Sequence, residues 1–195
     1  MWDILYQNID KLGVVLNDDE KAILQSLFKY RKFRKGQYIV QQDDVVKYES
    51  FIISGVTRTY TVDEKGQEHI ITFGTDGWWT GDLYSFFTQK ATAYNIDCIA
   101  ETEVLQITQP ALEELCNKVP KMNIYYRNLY RNSIIAFSKR MQSTLEKSAP
   151  ERYEEFRQNY PLIEQRVANH QIASFLGITA QSLSRIRRQA ANAKI

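Results

Sequence analysis

Between Phe33 and Ile107 apolar and polar residues alternate in short β-branched and aromatic runs, Thr57 to Val62 among them, separated by glycines at 36, 55, 66, 74, 77 and 81. A period of two broken by turn formers predicts antiparallel strands with one face toward a core. Asp63 to Gly66 reads as a hairpin turn between two of them. Ahead of the strands, Asn17 and Glu20 stand at capping-box spacing before Ala22, Ile23, Leu24, Leu27 and Phe28, the mark of an amphipathic helix.

After Pro110 the apolar period lengthens to three and four residues. Ala111 to Cys116 reads as a short helix, and Pro120 is placed to open a long one running to Lys147. Met122, Tyr125, Tyr126, Leu129, Ala136, Phe137, Met141 and Leu145 form one apolar face of it, and Ile124, Ile134 and Ile135 a second. The 28 residues would span about 42 Å at about 1.5 Å per residue. One face can cover the strands; the second calls for a partner, most economically the same helix of a second copy related by a two-fold axis. Ser148 to Pro150 interrupts the pattern, and a short helix around Tyr153 and Phe156 and a turn at Tyr160 and Pro161 follow.

The expected class is α+β: an N-terminal antiparallel β-roll of the double-stranded β-helix or jelly-roll kind with flanking helices, a long dimerisation helix, and a small all-α C-terminal domain. The boundaries fall at 1–119, 120–148 and 149–195.

Asn169 to Arg188 fits a helix-turn-helix. Ile172, Leu176, Ile178, Leu183 and Ile186 supply apolar contacts between two crossing helices, Ala173 lets them approach, Gly177 accepts the positive φ of a tight turn, and Thr179 caps the second helix. A wheel of that helix sets Leu183, Ile186 and Ala190 against Gln181, Arg185 and Arg188, with Ser182 and Ser184 alongside. Arginine forks onto guanine O6 and N7, and glutamine onto adenine N6 and N7, in a major groove. Gln181 and Arg185 are therefore the expected base readers, with Ser182 and Ser184 touching bases or phosphate. Arg166, His170, Gln171, Thr179, Arg187 and Arg188 are expected at the phosphate backbone.

Charge sharpens this picture. Residues 1–150 hold 18 basic and 19 acidic side chains, whereas residues 166–195 hold five basic ones (Arg166, Arg185, Arg187, Arg188, Lys194) and no acidic one. A compact basic module suits a polyanionic partner.

Two cysteines, Cys98 and Cys116, and two histidines, His69 and His170, cannot supply four thiolates for an iron–sulfur cluster or three histidines for a catalytic zinc. A metal enzyme built on the roll is disfavoured for the same reason, and no catalytic residue is assigned. The longest apolar run is four residues, Ile134 to Phe137, against about 18 for a membrane span. The first ten residues contain no basic residue and no apolar stretch of signal type, so the cytoplasm is the expected location.

The order of roll, long helix and basic helix-turn-helix, ending in IASFLGITAQSLSRIRR, resembles the Crp/Fnr family of bacterial transcription regulators. The resemblance implies a cyclic-nucleotide-binding-like roll, a dimerisation helix and a winged helix-turn-helix, with short strands around Leu162 to Val167. Its implied partners are double-stranded DNA, a second copy through helix 120–148, and RNA polymerase, with no membrane. Family members commonly carry an acid and an arginine in the recognition helix. Here Gln181 replaces the acid, Ala180 stands where another basic residue is frequent and Arg185 is retained, so no operator sequence transfers.

Gly81, Asp82 and Leu83 resemble the opening of the family's phosphate cassette. The family's phosphate-forking arginine should fall near Thr92 and Ala93, neither of which can serve. Losing one charge-assisted hydrogen bond, about 1.5–3 kcal/mol, lowers affinity about ten- to hundredfold. The expected pocket is thus Trp79, Gly81, Asp82, Leu83, Thr92 and Ala93, open to an unidentified small effector or to none rather than to cyclic AMP, with Trp78, Trp79 and Tyr94 serving either to stack on a ligand or to pack the roll. Asp82 serves equally well as a helix cap. The alternative is a small-molecule sensor whose output is protein–protein contact.

Overall fold

Helices α1 (Trp2–Lys11) and α2 (Asp18–Leu27) precede the strands. The second begins on its expected cap: the Glu20 amide donates to Asn17 Oδ1 at 2.9 Å and the Asn17 amide to Glu20 Oε2 at 2.7 Å, satisfying two amides that a helix start leaves unpaired. The computed structural model describes residues 1–192, so Lys194, counted in the terminal basic excess, lies outside the described residues.

The alternating region folds into β1 (Lys29–Phe33), β2 (Tyr38–Val40), β3 (Glu49–Ser54), β4 (Val56–Val62), β5 (Glu68–Thr75) and β6 (Trp79–Thr80), then α3 (Leu83–Thr88), β7 (Asn95–Cys98) and β8 (Thr102–Ile107). They form two antiparallel four-stranded sheets, β1-β8-β3-β6 and β2-β7-β4-β5. Only β4 and β5 pair as sequence neighbours, so the chain passes back and forth between the sheets as a roll requires. Their hairpin turns at Asp63 to Gly66, where Gly66 holds φ +77°. Phe51, Leu105 and Ile107 share one core with Leu5 of α1 and Leu24 of α2, while Ile52 and Val104, paired in register on the other face of the same sheet, are also fully buried.

Thr108 caps α4 (Gln109–Lys118), and α5 (Met122–Glu146) follows. Its first turns bury Met122, Tyr125 and Tyr126 against the roll. Further along the two apolar faces expected from the sequence lose their distinction: Ile134, Phe137, Met141 and Leu145 are 66%, 61%, 57% and 78% exposed. Phe137, Met141 and Leu145 belong to the face expected to cover the strands, but their side chains are left exposed.

Four helices complete the chain: α6 (Ala149–Asn159), α7 (Pro161–Arg166), α8 (Asn169–Phe175) and α9 (Ala180–Asn192). The strands implied around Leu162 to Val167 are not formed; that stretch is α7. Pro161 pre-sets the first helical φ, and Ile163 and Val167, four residues apart, both turn into the core.

A second apolar cluster crosses the boundary drawn at residue 149. Val56, Tyr60, Ile70 and Phe73 of the roll share it with Tyr153, Phe156, Ile172 and Leu183 of the terminal helices. Phe73, Phe156 and Phe175 meet with ring centroids 5.4–6.5 Å apart. Ser174 of α8 stitches the contact, donating to the Glu68 carbonyl at 3.1 Å and accepting from the Ile70 amide at 3.0 Å.

Candidate functional site

The turn between α8 and α9 is built by the residues that the sequence marks for it. The Gly177 amide donates to the Ser174 carbonyl and the Ile178 amide to the Ala173 carbonyl, both at 3.0 Å, with Gly177 at φ +67°. These paired bonds close a helix through a left-handed residue. A Cβ at Gly177 would meet nothing within 4 Å, so glycine supplies conformation here and not space. Arg152 of α6 donates to the Leu176 carbonyl at 3.1 Å, satisfying another group at the same helix end. Thr179 Oγ1 then accepts from the Ser182 amide at 3.1 Å and starts α9.

Leu183 and Ile186 turn under α9 onto Ile172, Ala173 and Leu176, all buried. The opposite side presents Gln181, Ser184, Arg185 and Arg188 to solvent. Ser182 is half-buried; its hydroxyl accepts from Arg185 Nη2 at 3.3 Å and from Thr179 Oγ1 at 3.0 Å, which orients the guanidinium along the exposed face. Arg166 and His170 are exposed, and Gln171 is half-buried. Among the described residues none of Arg166, His170, Arg185 and Arg188 belongs to an ion pair.

Arg187 differs from its expected place at the phosphate backbone. Its guanidinium donates to Tyr153 Oη at 2.9 Å, to Glu164 Oε1 at 2.8 Å and to Asn169 Oδ1. It is turned inward and braces α9 against α6, α7 and α8, because those three acceptors outcompete water for a side chain only partly exposed.

The second candidate site is a cleft of about 420 Å³ between the roll and α5, lined by Trp79, Gly81, Leu83, Leu129 and Tyr130 with Glu49 beside them. Three expected pocket residues, Trp79, Gly81 and Leu83, border it; Asp82, Thr92 and Ala93 do not. Asp82 accepts from the Tyr84 amide at 3.0 Å, capping α3, and from the Thr92 hydroxyl at 2.6 Å, so its carboxylate is consumed inside the fold. Ala93 is exposed. Trp79 packs on Phe51, Phe28 and Tyr126 and donates to Tyr125 Oη at 2.8 Å, which makes it a core residue with one edge on the cleft.

Gly81 does not open a phosphate cradle. A Cβ there would collide with the carboxyl of Glu49, which fills the space that the glycine leaves. Register explains the neighbourhood: Ser50 pairs with Thr80, bringing Glu49 opposite Gly81. Burial first, and the charge of Asp82 second, push the Glu49 carboxyl up to about 8. The residues present therefore do not fit a cyclic phosphate, which would meet an acid where it needs a cation.

A family model for the cyclic nucleotide-binding domain matches residues 30–119. The chain is 26% identical over 185 residues to the fumarate and nitrate reduction regulatory protein of Vibrio cholerae, covering 88% of this chain and 72% of that one. It is likewise 26% identical over 188 residues to electron transport regulator A of Shewanella oneidensis, with the same coverage of 88% and 72%. Residues 30–119 are thus similar to the cyclic nucleotide-binding domain, and most of the chain is similar to regulators of the fumarate and nitrate reduction type.

Among solved structures, FixK2 from Bradyrhizobium japonicum shares the fold, with TM-score 0.71 at 17% identity over 86% of each chain. The fold of roll, long helix and terminal helices is thus shared over most of the chain. Among the described residues the chain has no helix long and apolar enough to cross a membrane and no cluster of three metal-ligating side chains.

Three residues important to these two sites went unmarked in the sequence. Glu49 carried one available signal, a carboxylate leading the apolar run Phe51 to Ile53. Ser174 and Arg152 carried none, since their roles exist only where distant segments meet.

Proposed function

We propose that this chain acts as a homodimer that binds double-stranded DNA sequence-specifically, with α9 in the major groove and transcription as its output. Gln181 and Arg185 read base edges, and Ser182 and Ser184 touch bases or phosphate. Arg166, His170, Gln171, Thr179 and Arg188 lie along the phosphates. The observation that carries the reading is the α9 face: donors and cations stand exposed and unpaired above a packed apolar underside. A solvated helix with balanced charge would pair its arginines with nearby acids instead.

The exposed row Ile134, Phe137, Met141 and Leu145, at three- and four-residue spacing, supports dimerisation along α5. A two-fold axis would set two α9 helices about 34 Å apart, one turn of DNA. RNA polymerase is the partner through which bound regulator would alter transcription. A small effector in the roll cleft would touch both the strands and α5, and so favour one placement of α5 over another.

Selection of genomic fragments by the purified chain, followed by anisotropy titration at several salt concentrations, tests this. The expected result is a preferred fragment with two related half-sites and affinity that falls steeply with salt. Equal binding to all fragments, or a species that light scattering shows to be monomeric at every concentration, overturns it.

A further inference from the structure

We infer that the cleft between the roll and α5 takes a small cation with a flat apolar body and a hydrogen-bond-donating head, of the amidinium or guanidinium class, with Glu49 as its anionic partner. The assignment concerns ligand chemistry and stands whether or not the ligand changes DNA binding.

Glu49 Oε1, Tyr126 Oη and Tyr130 Oη are all buried and have no hydrogen-bond partner among the described residues. Buried polar atoms in folded proteins are nearly always paired, so three orphans in one neighbourhood call for a ligand. The neighbourhood is shared: burial chiefly, but also the charge of Glu49, raises both tyrosine hydroxyls above their ordinary range. Glu49 and Tyr130 border the open cleft, and Trp79, Leu83 and Leu129 give it flat apolar walls. An acid and a hydroxyl that can accept, Glu49 and Tyr130, beside apolar walls suit a donor head on a planar body.

Charge decides the sign. The titratable groups facing Glu49 are Asp82 from the start of α3 and Tyr126 and Tyr130 from α5; none is a cation. Arg140, toward the far end of the cleft, is committed elsewhere, donating to the Ile71 carbonyl and stacking 4.7 Å from the Phe175 ring. An anion entering beside Glu49 would meet an acid, while the cation of the lining, Arg140, stands toward the other end. A cation would convert Glu49 from carboxylic acid to carboxylate, the proton leaving from the carboxyl oxygen to the buffer. With that carboxyl pushed up to about 8 by burial and by Asp82, binding near pH 7 releases a proton.

The test uses the full chain and three probes, benzamidine, benzoate and cyclic AMP, titrated by calorimetry at pH 7 in phosphate and in Tris, without DNA. Benzamidine is expected to bind once per chain with Kd of about 1 mM or tighter. Its heat should differ between the buffers by the ionisation heat of most of one proton, and affinity should rise from pH 6 to pH 8. Glu49→Gln, checked for folding by circular dichroism, should weaken binding at least about tenfold and abolish the buffer difference. Benzoate or cyclic AMP binding as tightly as benzamidine overturns the assignment. So does saturable binding of benzamidine with equal heat in both buffers, or the absence of saturable benzamidine binding. Because none of these readouts involves DNA, their failure is separable from failure of the proposed regulator.

Discussion

The two candidate sites of this chain are electrostatic opposites. On α9, Gln181, Arg185 and Arg188 stand in water, and a polyanion could neutralise the arginines without any rearrangement of the fold. In the roll cleft an acid is buried with no cation near it, so its charge is suppressed until something enters. An exposed cation costs the fold almost nothing and can be selected purely for what it binds. A buried acid costs stability in every molecule without its partner, so its retention points to a ligand or to a polar network that the fold needs.

The difference can be broken at either end. The largest effect is expected beneath α9. Leu183→Ala removes a fully buried side chain joining the two helices and should destabilise the protein by about 2–5 kcal/mol, measured as a lowered denaturant midpoint, with DNA binding lost at temperatures where the wild type is folded. On the outer face, Arg185→Ala should leave that midpoint unchanged and cost about 1–3 kcal/mol of discrimination between cognate and mutated half-sites in anisotropy titrations. Arg187→Ala separates the two arginines: it should lower the midpoint, since Tyr153, Glu164 and Asn169 lose a shared donor.

In the cleft the sign reverses. Glu49→Leu removes an unpaired buried carboxyl and should stabilise the empty protein by about 1–3 kcal/mol at pH 8. The carboxyl is raised in the folded state above its unfolded value, so the folded chain binds the proton more tightly and stability falls as pH rises from about 4.5 toward 8. The wild type should therefore lose stability over that window relative to Glu49→Leu, read as diverging urea midpoints between pH 5 and pH 8. A gap that stays constant with pH would show that Glu49 ionises freely.

The smallest effect sharpens how the two regions are joined. Ser174→Ala deletes both bonds between α8 and β5 and should cost about 0.5–1.5 kcal/mol, with faster amide exchange at Ile70 and in α8. Unchanged exchange would show that the aromatic cluster of Phe73, Phe156 and Phe175 holds the module unaided.

Much of the terminal site was legible before any coordinates because its logic is local. Gly177, Thr179, Ile172 and Leu183 act within about a dozen residues of one another, where helical periodicity and turn chemistry are reliable guides. Arg187 shows the limit: it was expected at the phosphate backbone, but Tyr153 and Glu164, brought in by α6 and α7, claimed it. The same limit hid α7, whose apolar residues suited strand or helix until Pro161 and the core beneath chose.

The roll was legible as a class of structure and opaque as a site. Alternation and glycines called for strands, yet the order β1-β8-β3-β6 depends on pairings between segments up to some seventy residues apart, which no short window contains. Gly81 and Asp82 matched a phosphate-binding pattern in type while their neighbours, Glu49 and Thr92, had already taken the space and the hydrogen bonds. The sequence by itself determined the element types, the basic helix-turn-helix and its exposed donors, because each rests on spacing along one segment. Tertiary structure alone decided which arginine is free, which acid is buried and what the cleft can hold, because burial and pairing are properties of segments that meet only when the chain folds.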